Sequence, residues 1–158
     1  WAVVPLLLGG LNSELLSPGS VHIASPLPLR TTLPEGPAPG TWWAEDLNDL
    51  YSGLVLAGEV KEVTSSDGLR LMSFDFASDV LQRYAHVEQE ASALLSKWTG
   101  PRRPLTAIVI HRALPGMEAT GVLGVNVGRN AIVLAFDPPD GTALSHDGVT
   151  FLHELAPS

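Results

Sequence analysis

Residues 69–98 read LRLMSFDFASDVLQRYAHVEQEASALLSKW, a strand signal that runs straight into a helix signal. Over Leu69–Phe76 the side chains alternate. Leu69, Leu71, Ser73 and Asp75 share one face, and Arg70, Met72, Phe74 and Phe76 share the other, which is the period of a β-strand. From Asp79 to Trp98 the period changes. Val80, Leu81, Tyr84, Val87, Ala91, Leu94, Leu95 and Trp98 recur every three or four positions and draw one apolar stripe along a helix. Ser78 suits the N-cap and Asp79 the positive helix end, while Gly100 and Pro101 end it.

Outward from this core, SSDG at Ser65–Gly68 predicts a hairpin turn, because Gly after Asp supplies the positive φ of a tight turn. Leu54–Val63 reads as a strand or strand pair broken at Gly58. Downstream, Leu105–His111 and Ala131–Phe136 are short apolar strands on either side of the glycine-rich stretch 116–130. Asp137–Gly141 (DPPDG) is a turn, and a last helix is expected to start near Ser145. Residues 1–34 look like β structure punctuated by turns, with a strand over 21–24. The opening apolar run, WAVVPLLLGGL, is too short to span a bilayer. It reads as a buried strand, or as the end of a signal peptide's apolar region. LPEGPAPG at 33–40 is a loop or linker and a candidate domain boundary.

Composition narrows the function classes. A chain of 158 residues, 45% hydrophobic and 16% charged, is too apolar for disorder and long enough for one cored domain or parts of two. The net charge of −8, with no basic patch beyond Arg102 and Arg103, argues against nucleic acid as a partner. The absence of cysteine removes disulfides, thiolate zinc sites and thiol catalysis.

The most specific chemistry sits in TFLHELAPS at 150–158. The zinc-peptidase pattern H-E-x-x-H sets two imidazoles one helical turn apart, with Glu beside the first as general base. His153 and Glu154 fit its first half, but the second His position is Pro157. Proline cannot bind a metal, and it lacks the N–H that would bond the carbonyl of residue 153. Without further context the pair also fits a solvent-facing His and Glu. Ser145, His146 and Asp147 are contiguous and so do not build a relay; an N-cap with an acidic first turn explains them. GVLGVNVG at 121–128 matches neither dinucleotide nor P-loop spacing and reads as a bulged or edge strand. His22, His86 and His111 are isolated, and Trp42-Trp43 reads as aromatic packing at a domain junction.

Taken in order, these segments resemble the start of the catalytic domain of gluzincin metallopeptidases. The likeness is closest to the glycyl-aminopeptidase-like branch (peptidase family M61), with the M1 aminopeptidases as neighbours. TLPEG (32–36) resembles a turn near the end of their N-terminal β domain, and LNDLYSGLVLAG (47–58) the segment that follows it. PGMEATG (115–121) resembles the Gly-x-Met-Glu-Asn motif on the strand lining their cleft, and FLHELAPS the zinc helix. The resemblance implies an α+β fold: the end of an N-terminal β-sandwich-like region and linker over 1–40, then over 41–158 an incomplete thermolysin-like catalytic subdomain of mixed sheet plus helices. It implies His153 as a zinc ligand, Glu154 as the base, and Gly116, Met117 and Glu118 as the substrate-binding segment, with Glu118 holding a free amino group. Glu118 is otherwise a loop carboxylate.

Zinc is the cofactor of the intact family, and a peptide substrate or ligand is the implied partner. The second ligand is Pro157 here, and a third, a Glu on a following helix, would lie beyond Ser158. The chain as given is therefore expected to bind no catalytic zinc and to hydrolyse no peptide. A non-catalytic peptide-binding relative, or a plain α+β domain without a site, are the alternatives. Exposed apolar residues Phe151, Leu152 and Leu155 are expected to favour self-association.

Overall fold

A glycine and a short loop separate two β systems. A computed structural model describes residues 2–5, 18–46, 49–50, 53–100, 105–111, 124–127 and 131–136. Two compact units emerge: Trp1–Val60 with Val127–Ala131, and Lys61–Asn126 with Ile132–Ser158. The loop 33–40 lies inside the first. The fold is α+β.

In the first unit, β1 (Ala2–Pro5) and β3 (Leu29–Thr31) flank β5 (Leu54–Ala57), both antiparallel to it. The central position of β5 explains its unbroken LVLA run, since a strand covered on both faces needs apolar residues throughout. The opening run is thus a strand over its described part. β2 (Gly19–His22) pairs with β4 (Thr41–Ala44), a little earlier than the strand expected over 21–24. On β4 the side chains alternate. Trp42 and Ala44 are buried with Leu33 against Val21, Ile23, Leu29 and Leu50, while Trp43 is partly exposed.

Residues 33–40 form a tight connection. The Gly36 amide donates to the Thr41 carbonyl at 2.8 Å, the Trp43 amide to the Pro34 carbonyl at 2.9 Å, and the Thr41 hydroxyl to the Ala38 carbonyl at 2.6 Å. Asp49 accepts the Glu45 amide at 2.8 Å just beyond β4.

Gly58, at φ 127, ends β5, and the chain enters a second sheet at β6 (Lys61–Thr64). This break was legible in the sequence. The second sheet has the order β6-β7-β8-β10-β9, where β7 is Arg70–Ser73, β8 Thr106–His111, β9 Gly124–Val127 and β10 Ala131–Phe136. β6 and β7 are antiparallel, while β7 and β8 are parallel, so the sheet is mixed as expected. Gly68, at φ 89, makes the hairpin turn between β6 and β7.

The strand expected to run to Phe76 stops at Ser73. The Ser73 hydroxyl accepts the amides of Asp75 and Phe76 at 3.1 and 3.0 Å, which bends the chain out of the sheet and toward the helix.

The helix α1 spans Ser78–Thr99, one residue beyond the expected limits at each end. Its N-cap is Ala77 rather than Ser78, with no side-chain cap; the Ala77 carbonyl accepts the amides of Val80 and Leu81. Gly100, at φ 84, closes the C-terminus.

The buried face of α1 is Leu81, Tyr84, Ala85, Glu88, Ala91 and Ser92. It packs with Leu69, Leu71, Phe76, Ala107, Val109, Ile132 and Leu134, and the Phe76 and Tyr84 rings meet edge to face at 6.2 Å. Two residues of the expected stripe fall outside it: Leu94 is 60% exposed and Trp98 85%. The reason is length. A 22-residue helix is about 33 Å long, whereas the four-residue strands β6 and β7 beneath it span roughly 13 Å, so its last turns outrun them.

Candidate functional site

The order β8-β10-β9 means that the chain leaves β8, passes to the sheet edge at β9, and returns inside as β10. The segment carrying Gly116, Met117 and Glu118 lies in that passage, and Glu118 stands six positions before Gly124. The expected edge strand in 121–128 is therefore present. The motif residues Gly116, Met117 and Glu118 themselves lie outside the described residues. So do His153, Glu154 and Pro157, and the apolar trio Phe151, Leu152 and Leu155. The described sheet locates the strand that follows the first motif.

The two edges of this sheet differ chemically. The edge strand β6, KEVT, exposes Lys61 and Glu62, and edge charges oppose pairing with another strand. The edge strand β9, GVNV, carries no charge. An edge with free N–H and C=O groups and no charged side chains can add an extended peptide as a further strand.

A metal fits the sequence poorly. Among the described residues no group of three or more His, Asp or Glu converges on a point that could hold an ion. At the positions matching H-E-x-x-H, His153 is the sole nitrogen donor, because Pro157 has none to offer. A catalytic zinc needs three protein ligands, so this donor set does not fit one. Of the isolated histidines, His22 is exposed, and His86 is exposed beside Glu90 at 3.5 Å. The His111 backbone closes β8.

One polar group on the core face escaped the sequence reading. Glu88 is fully buried on α1. The available signal was its spacing, since it falls between Leu81 and Tyr84 on one side and Ala91 on the other, in phase with the buried stripe.

Comparison with known proteins gives a fold likeness. No family model matches the sequence, and no curated protein matches it. Among solved structures, an aminopeptidase N family protein from Idiomarina loihiensis is similar over 90% of this chain, with a TM-score of 0.57 at 16% identity. Native LTA4 hydrolase from yeast is similar over 88% of this chain, with a TM-score of 0.53 at 15% identity. The fold is shared with part of these proteins. This chain spans 28% of the first and 22% of the second. At this identity the likeness speaks for the fold alone.

Proposed function

We propose that this chain derives from a gluzincin-type zinc aminopeptidase and, as it stands, hydrolyses no peptide. The observation that carries the reading is the position of β9. An uncharged edge strand begins six positions after Glu118, in a fold shared with an aminopeptidase N family protein. In this reading a peptide lies along β9 in extended form, and its free amino group pairs with the Glu118 carboxylate. In this reading His153 and Glu154 match, by sequence, the family's first zinc ligand and general base. In an intact site zinc would polarise the scissile carbonyl and activate water. Glu154 matches the family's general base, a role that needs a held metal.

Pro157 favours a second reading, in which the groove binds peptide without cutting it. Replacing one imidazole disables the metal but leaves the edge strand and the Glu118 carboxylate in the sequence. Placement within the glycyl-aminopeptidase-like branch belongs to the same proposal.

Calorimetric zinc titration of a version extended past Ser158, with and without Pro157→His, tests the lineage. No binding with Pro157, and measurable binding with Pro157→His, is the expected pair of results. Equal absence of binding in both, with the fold intact by circular dichroism, removes the support for a vestigial zinc helix.

A further inference from the structure

The last turns of α1 keep an apolar stripe on their outer face. Leu94 and Trp98 stand one turn apart and are both mostly exposed. The half-buried Val87 lies about two turns before Leu94 on the same line, and the exposed Ala93 borders it. Single apolar residues scattered over a surface need no explanation. A Leu and a Trp at i and i+4 make one patch, and Val87 extends it toward the middle of the helix.

Charges run along one flank of this stripe. Glu90 and Lys97, both exposed, are seven residues apart, within about 20° of two full turns. They therefore share the flank and stand about 10 Å apart along the axis. Nearer the N-terminus on that flank, Asp79 and Arg83 pair with each other at 3.5 Å, and His86 lies 3.5 Å from Glu90. Lys97 has no ion pair among the described residues.

We propose that a second copy of this chain docks on the stripe, with its α1 antiparallel to the first. A two-fold axis midway between Glu90 and Lys97 sets each Glu90 level with the partner's Lys97, because an antiparallel two-fold brings like flanks together. One contact then carries two opposite-charge pairs. Parallel helices in register would instead set each charge beside its own kind. The same axis passes between Ala93 and Leu94, where the small Ala93 lets the two backbones approach. In that register Trp98 falls level with the gap between the partner's Val87 and the partner's Ala91, so the largest side chain of one stripe meets smaller ones of the other. A stripe this short makes a small interface, and the net charge of −8 on each copy opposes approach. The dimer is therefore weak and exchanges rapidly. It does not depend on the reading of the zinc motif.

Sedimentation velocity of the full chain tests this from about 5 μM to about 500 μM, in about 0.15 M salt where charges are screened beyond about 8 Å. A rise from monomer toward dimer mass is expected. Trp98→Ala should weaken dimerisation by about tenfold or more, since it truncates an aromatic anchor on both copies. Glu90→Lys and Lys97→Glu should each weaken it by about threefold or more, because each turns two attractive pairs repulsive. An equimolar mixture of those two variants should regain the association of the unsubstituted chain, as every Lys of one then meets a Glu of the other. All three positions are exposed, so the fold should survive each change, and circular dichroism checks it. A strict monomer throughout, the outcome if a different protein or a further segment of a longer chain covers the stripe, overturns the proposal. Association unchanged in Trp98→Ala, or a mixture of the charge variants no better associated than either alone, overturns it too.

Discussion

A methyl group on Gly36 would lie 2.5 Å from the Thr41 hydroxyl oxygen and 3.0 Å from the Thr41 carbonyl carbon and oxygen. Only a residue without a side chain lets the chain close there, where the Gly36 amide reaches the Thr41 carbonyl at 2.8 Å. Gly36→Ala should therefore destabilise the first unit by about 1–3 kcal/mol, the range for forced overpacking. Chemical denaturation checks it. A smaller loss at Gly36 than in Gly40→Ala, where a Cβ meets open space and only the positive φ objects, would contradict the crowding.

The face of α1 makes a second prediction. Leu81→Ala should lower stability by about 2–5 kcal/mol, because Leu81 is fully buried between strands and helix. Leu94→Ala and Trp98→Ala should change it by no more than about 0.5 kcal/mol, since both side chains stand mostly in solvent. Thermal melts of the three variants read the contrast. A large loss at Trp98 would mean that the helix is packed along its whole length.

That contrast also shows what was legible in the chain. The hairpin at Ser65–Gly68 could be read because its chemistry is local: one Gly at positive φ decides it. The helix could be read because its period persists for more than five turns. Which turns are covered could not, because that depends on the length of β6 and β7 beneath. Glu88 was missed for a related reason, as a carboxylate in a stripe reads as solvent-facing until the elements that cover it are seen. The end of β7 at Ser73 turned on one hydroxyl capping two amides, a preference that the apolar alternation through Phe76 masked. The edge position of β9 belongs to the fold. The motif residues before it and the His153-Glu154 pair rest on sequence.

Acid sensitivity gives a third prediction. The Asp67 carboxyl, although burial alone would raise it, is held below its ordinary value by hydrogen bonds from Ser65, its own amide, Glu88 and Leu69. A depressed carboxylate stabilises the fold above its unfolded titration and loses that contribution as pH falls through its folded one. Stability of the unsubstituted chain should thus fall relative to Asp67→Asn as pH drops from about 5 to about 2. Parallel profiles for the two proteins would show that the hydrogen bonds around Asp67 do not favour its ionised form.

The two sheet edges make a fourth. An extended peptide with a free amino terminus should protect the amides of β9 from exchange and leave those of the charged strand β6 unaffected. Glu118→Gln should weaken that binding by about tenfold or more, the loss of one charge-assisted hydrogen bond, and N-acetylation of the peptide should do the same. Protection confined to β6 would reverse the assignment of the receptive edge.

The central claim is that Glu118 and the His153-Glu154 pair face one groove. The chain has no cysteine, so paired substitutions are chemically clean. Cross-linking of the Glu118→Cys/His153→Cys double variant with a short bismaleimide tests the claim most directly, beside a Glu118→Cys/Trp98→Cys control. Rapid intramolecular cross-linking of the first pair, against little in the control, is the predicted result. Failure of the first pair to cross-link, while both thiols remain reactive to monofunctional maleimide, would place the two motifs apart and contradict the account.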